Sequence, residues 1–279
     1  MEGFNNPYID KLIGISNEQK ELAQKWHEYI ITNIETMGGK KIEGFEIEKT
    51  EKDVALIEFT QMALNRILEQ YKRTKQINIP LVNIHVLPPE GTERYTNGRL
   101  LYGAHSSLQQ SVLIDRDVSD IQFSLALFHE LLHIKSYTAF QIISENKDNQ
   151  SGQQLKPYRN GFRIVSRDGK RVYLQSIEEA VISYLTASFY ESIKDELLFR
   201  DEKLNNRGII ISRSYEVSMM NDAIDIIYEN NKGTFLNRQE VLKLFIDAQI
   251  NGNLLKLGKL IEQTFGSGTL KKIDASTIS

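Results

Sequence analysis

The chain has 279 residues, with 34 Lys and Arg against 37 Asp and Glu and a formal net charge of −3. That balance argues against a general nucleic-acid binder, and 41% hydrophobic with 25% charged residues is ordinary for a globular protein. Cysteine is absent, which excludes disulfides and every thiolate-ligated zinc site.

No apolar run has the length to span a bilayer. The first residues, Met1 to Pro7, carry neither the basic nor the apolar segment of a signal peptide. A cytoplasmic protein without a membrane or nucleic-acid partner is expected.

In chain order, residues 1–15 read as a loose arm. Ser16-Asn17-Glu18-Gln19 is a capping-box signature, and Leu22, Trp26, Ile30 and Ile34 follow at helical spacing, to an end near Gly38-Gly39. His27 lies off that stripe and reads as an ordinary helix residue. Lys40 to Asp53 is charge-rich, a connector or short edge strand. A second helix follows with Val54, Ile57, Met62, Ile67 and Leu68 as its core face, and Lys72, Arg73 and Lys75 in its last turn, where the dipole favours cations.

Ile79 to Leu87 alternates and is rich in β-branched residues, so it predicts a strand that Pro88-Pro89-Glu90-Gly91 stops. His85 falls on its mixed face and reads as structural or exposed. Arg99 to His105 and Gln110 to Asp115 predict two further short strands, with His105 at a strand end. Ser119-Asp120-Ile121-Gln122 caps the next helix.

That helix contains Phe128-His129-Glu130-Leu131-Leu132-His133, an H-E-x-x-H sequence in an apolar run. Residues four apart share a helix face, so His129 and His133 aim their imidazoles at one point. Glu130 sits about 100° round the helix, near enough to orient a metal-bound water without being a ligand. Leu125, Leu127, Phe128, Leu131, Leu132 and Ile134 make the helix apolar on most sides, hence buried. A buried imidazole needs a partner. A metal meets that need, although core histidines bonded to backbone give the same pattern.

A strand leading into an H-E-x-x-H helix after a helical amino-terminal part resembles the zincin clan of zinc metallopeptidases, on His129, Glu130 and His133. The resemblance implies an α+β fold in which a small mixed or antiparallel sheet packs on the H-E-x-x-H helix. It implies one catalytic Zn²⁺ and hydrolysis of a peptide or protein substrate by a metal-activated water, with Glu130 as general base. An edge strand along the cleft would take substrate backbone as an added strand. Either strand between Arg99 and Asp115 fits that role, and His105, next to Gly103, would then border the cleft, although a plain strand-end histidine is the simpler reading.

The third ligand separates the subfamilies. Ser136 and Ala139 stand where metzincins carry a glycine and a third histidine, no cysteine is present, and no histidine follows His133. Ile177-Glu178-Glu179-Ala180-Val181 resembles the gluzincin pattern, which implies Glu179 as ligand and Ala180 as the small neighbour. Glu178 stands where many relatives carry Asn, and on the helical wheel it lies nearer the apolar face than Glu179 does. The small residue after Glu179 and the resemblance decide for Glu179. Ser183 replaces the aspartate that thermolysin-like relatives use to orient a ligand histidine.

For an oxyanion donor the resemblance leaves a tyrosine or arginine: Tyr215, at the start of the helix after the glutamate helix, with Tyr158 and Arg159 as rivals.

Between the ligands, Ser144 to Pro157 reads as a polar loop. Phe162–Ser166 and Arg171–Leu174 form a hairpin round Arg167-Asp168-Gly169-Lys170. Beyond Tyr190 all-helical structure is expected, with a cap at Asn237, a break at Gly252, and fraying from Gly266 to Ser279. The resulting division is a helical part (1–76), a catalytic core (77–190) and a second helical part (191–279), packed as one unit. A zincin scaffold that binds peptides or a protein partner without turnover is the alternative.

Overall fold

The computed structural model describes residues 8–14, 20–42, 44–73, 78–96, 102–116, 119–144, 153–196, 199, 214–273 and 276–277. The expected cap at Ser16 lies outside them, as do Lys75, residues 97–101 and residues 145–152. The fold is mixed α and β, with nine α-helices and two small sheets among the described residues. No helix among them is long and apolar enough to cross a membrane.

Two compact units emerge, and both are discontinuous in sequence. The first takes residues 1–31, 136–181 and 216–279; the second takes 32–135 and 182–215.

In the first unit a six-stranded sheet runs in the order β1-β5-β6-β7-β8-β9. Strand β1 (Lys11–Ile13) pairs parallel with β5 (Thr138–Ser144), so part of the expected loose arm is a strand. Asp10 accounts for this: its amide donates to the Thr138 carbonyl, and its carboxylate accepts from the Thr138 amide at 2.8 Å. Strand β6 (Gln153–Asn160) pairs antiparallel with β5, so the end of the expected polar loop is also a strand.

The Asp-Gly hairpin forms as read, from β7 (Arg163–Val165) and β8 (Arg171–Tyr173). Strand β9 (Ser276–Thr277) pairs with β8, and helix α9 (Thr269–Lys272) precedes it, against the expected frayed end. Helices α6 (Ser214–Asn230), α7 (Arg238–Asn251, capped by Asn237) and α8 (Leu254–Phe265) complete this unit, together with the first part of α1 (Lys20–Asn33).

Buried Gln249 on α7 knits the first unit together. Its amide donates to Ser136 Oγ at 2.8 Å, and its carbonyl oxygen accepts from the Phe162 amide at 3.0 Å. Gly161 stands at φ +52°, and a Cβ there would meet the Gln249 side chain at 2.1 Å, so only glycine fits.

The second unit is built on α2 (Glu51–Gln70), α4 (Asp120–Lys135) and the continuation of α5 (Gln175–Ile193). Helix α2 starts earlier than the charge pattern suggests, because Thr50 and Asp53 form a reciprocal capping box. Met62 is exposed, and Leu56, Ile57, Leu64 and Leu68 form the core face. The helix stops at Gln70, so Lys72 and Arg73 lie beyond its last turn.

The three-stranded sheet of this unit runs β2-β4-β3. Strand β2 (Ile84–Leu87) is shorter than expected, since Leu81–Asn83 turns as a 3₁₀ helix. A short helix, α3 (Gly91–Tyr95), follows β2. Strand β4 (Ser111–Asp115) lies in the middle, parallel to β2 and antiparallel to β3 (Gly103–Ser106). Helix α4 packs against β3, β4 and α2. Every residue of α4 is buried, and Phe128 stacks on Phe189 with centroids 4.2 Å apart. Each buried Leu or Phe side chain there contributes roughly 2 kcal/mol, so α4 is fixed firmly enough to carry a site.

Candidate metal centre

Helix α4 carries His129, Glu130 and His133, all buried. Ser119 caps its start, its Oγ accepting from the Gln122 amide at 3.1 Å. The His129 and His133 rings lie edge to face, with centroids 5.1 Å apart and planes at 68°. Two imidazoles at such an angle can direct their in-plane lone pairs at one point.

Strand β3 adds His105, for which the sequence favoured a plain strand end over a place at the cleft border. His105 Nδ1–H donates to Glu130 Oε2 at 2.8 Å, and the His105 ring stacks on His133 with centroids 4.4 Å apart and planes at 15°. The side chain of His105 is 24% exposed, that of Glu130 only 10%. Burial pushes the Glu130 carboxyl up. The hydrogen bond from His105 and the neighbouring imidazoles of His105, His129 and His133 outweigh it, and the net shift is downward. Glu130 is therefore a carboxylate, an acceptor only.

Helix α5 is continuous, and the two units divide it between Val181 and Ile182. Glu179 stands on it just before that division. Two groups of side chains could hold a metal ion: His129, His133 and Glu179, and His105, Glu130 and His133. In each, one ligand atom per residue lies within 4.8 Å of the others. Ring geometry separates the two. Stacked, nearly parallel imidazoles cannot both place an ion in their ring planes, so the group with His105 suits a cation poorly. The group with Glu179 offers two imidazoles at a steep angle and one carboxylate, a donor set that fits zinc with a position left open.

Glu178, buried at 1% exposure, belongs to neither group. Ser183, one turn after Glu179, is buried, and its Oγ has no hydrogen-bond partner among the described residues. His27 and His85 are also outside the groups.

None of the three candidates for an oxyanion donor belongs to either group of side chains. Tyr215, the second residue of α6, is 72% exposed, and no hydrogen bond or ring contact among the described residues reaches it. Arg159 is committed in the first unit, donating to the carbonyls of Gly161, Gly252 and Ala248 at 2.7, 3.0 and 3.1 Å with Tyr137 under its guanidinium. Tyr158 is the extra residue where the β5–β6 register shifts. Comparison with protein-family models, curated proteins and solved structures gives no match.

Proposed function

We propose that this chain is a zinc-dependent metallopeptidase of the zincin type. His129, His133 and Glu179 are its metal ligands and Glu130 its general base. The observation that carries this reading is the convergence of two imidazoles and a carboxylate within 4.8 Å, beside a buried carboxylate on the same helix. A zinc ion held by these three residues would supply Lewis acidity and a water acidic enough to be deprotonated near neutral pH. Glu130, its Oε2 engaged by His105, accepts the water proton at Oε1 and passes it to the leaving amine.

The sheet order supports a peptide as substrate. Strand β4 is flanked on both sides, and the outer edge of β2 already accepts a bond from the Ile47 amide at 2.9 Å. Within this three-stranded sheet that leaves β3 as the edge to which an extended backbone can add. A chain without cysteine suits a reducing, cytoplasmic setting.

Metal analysis with a peptide-library cleavage assay tests the proposal. Glu130→Gln is expected to keep its zinc and lose cleavage by about 10³-fold, and His129→Ala or Glu179→Ala to lose the metal. A purified chain that stays metal-free when zinc is supplied ends the reading. A zinc-loaded chain that cleaves nothing replaces it with a peptide-binding scaffold.

A further inference from the structure

We propose that His105 is a positioning residue for Glu130, and that strand β3 therefore both offers its edge to the substrate and sets the general base. The inference rests on the metallopeptidase reading. Its own support is the way β3 meets α4. Gly103 and His105 are two apart on β3, hence on the same face of the strand. At Gly103 a Cβ would lie 2.9 Å from Glu130 Cγ and 2.8 Å from Ile114 Cδ1, so the missing side chain is what lets Glu130 come this close. At His105 the ring makes two contacts, the 2.8 Å hydrogen bond from Nδ1 to Glu130 Oε2 and the stack on His133. One residue makes room for the base and the other grips it.

A glutamate side chain has three rotatable bonds, and in an apolar helix nothing else described holds this carboxylate. With Oε2 pinned by His105, Oε1 is the oxygen left to meet a water. Misplacement of a reacting group by about 1 Å costs on the order of 10²-fold in rate. His105 touches neither substrate nor metal in this arrangement. It acts through Glu130.

The test uses the full chain loaded with Co²⁺, in wild type, His105→Ala, His105→Asn, Glu130→Gln and the His105→Ala/Glu130→Gln double variant. Co²⁺ affinity is read from visible absorption, kcat and KM from peptide cleavage, and acetohydroxamate affinity from its effect on the Co²⁺ spectrum. His105→Ala is expected to keep Co²⁺ affinity within about threefold and KM within about threefold, while kcat falls about 10²-fold. His105→Asn places an amide donor near the Nδ1 position and should recover at least about tenfold of that loss. In the Glu130→Gln background, His105→Ala should add nothing, because the two act as one unit.

A fall in Co²⁺ affinity of more than about tenfold in His105→Ala would make His105 a ligand and overturn the inference. Wild-type kcat in that variant, or independent effects in the double variant, would overturn it too. If the Co²⁺-loaded chain binds metal but cleaves nothing, the acetohydroxamate cycle decides. A shared, non-additive loss in His105→Ala and Glu130→Gln supports the coupling, and an unchanged His105→Ala refutes it. If His105→Ala does not fold, Gly103→Ala, which crowds Glu130 and leaves His105 in place, is expected to give the same kcat loss, and normal kcat there counts against the inference. A wild type that takes up no Co²⁺ sinks the metallopeptidase reading itself, and this inference with it.

Discussion

Two histidine–glutamate pairs sit on opposite edges of the same three-stranded sheet, and they differ in what surrounds them. On β2, His85 Nδ1 meets Glu46 Oε2 at 3.0 Å and its Nε2 donates to the Gly38 carbonyl at 2.8 Å. Both nitrogens are used, and the ring is 3% exposed. On β3, His105 meets Glu130 through one nitrogen at 2.8 Å, is partly open to solvent, and lies against a ligand-type histidine. The pairs have nearly the same geometry and the same chemistry. What turns one into a candidate site is the convergence of further donors on an edge that can still accept a strand. The other is a clasp, tying the end of the π-helical turn Ile34–Gly38 and the 40–50 connector to β2.

If that contrast is right, the two edges fail in different ways. The largest stability loss is expected from His85→Phe, which leaves the Gly38 carbonyl without its imidazole donor and takes one donor from the Glu46 carboxylate, which keeps the Ile42 amide and Lys49. Leaving buried acceptors short of a donor costs up to about 3 kcal/mol. Urea unfolding should show this, with Co²⁺ affinity and kcat of the folded protein unchanged. A metal affinity that falls with His85→Phe would erase the distinction between clasp and site.

The strand between the two edges supplies the next comparison. Arg116 follows β4 and bonds Asp53 at the start of α2 and Asp120 at the start of α4, where Lys52 also reaches Asp120. Burial raises both aspartates, but the Thr50 donors and Arg116 on Asp53, and Lys52 and Arg116 on Asp120, bring each below its ordinary value of 3.8. Groups with folded pKa values lowered in this way contribute stability that is present above 3.8 and lost as pH falls through the lowered values. Arg116→Met should therefore cost about 2 kcal/mol near pH 7. The difference from wild type should shrink as the pH drops below 3.8. Parallel stability curves down to acid pH would show that Arg116 acts by packing, through its place over the Phe123 ring.

How far the sequence speaks depends on whether a signal is local. Helical period and capping chemistry mark α4, and Asp168-Gly169 marks the β7–β8 hairpin; all are readable within a few residues. Strands β1, β5 and β6 were not legible, because their pairing joins segments more than a hundred residues apart or crosses a polar stretch. Pro157, read as the end of a polar loop, sits beside the register shift opposite Phe140, where a ladder tolerates proline. Within the candidate site, His129, Glu130 and His133 come from one motif, and Glu179 needed the family resemblance. His105 had no local mark. Its only clue was a glycine two residues earlier, and that clue gains meaning once β3 is known to lie against α4.

Tyr215 gives the smallest expected effect and closes the comparison from the other side. An oxyanion donor has to stand about 3 Å from where the charge develops, in surroundings dry enough to make its hydrogen bond count. The β3 edge offers such surroundings, since Glu130 and both α4 histidines are buried. Tyr215 does not, being 72% exposed. Tyr215→Phe removes only the hydroxyl, so it tests that group without disturbing the helix. Cleavage is expected to stay within about twofold of wild type, because a surface hydroxyl exchanges bonds with water at little net cost. A kcat loss of tenfold or more with KM unchanged would mean that the hydroxyl strengthens its bond in the transition state, and Tyr215 would then join the machinery beside Glu130.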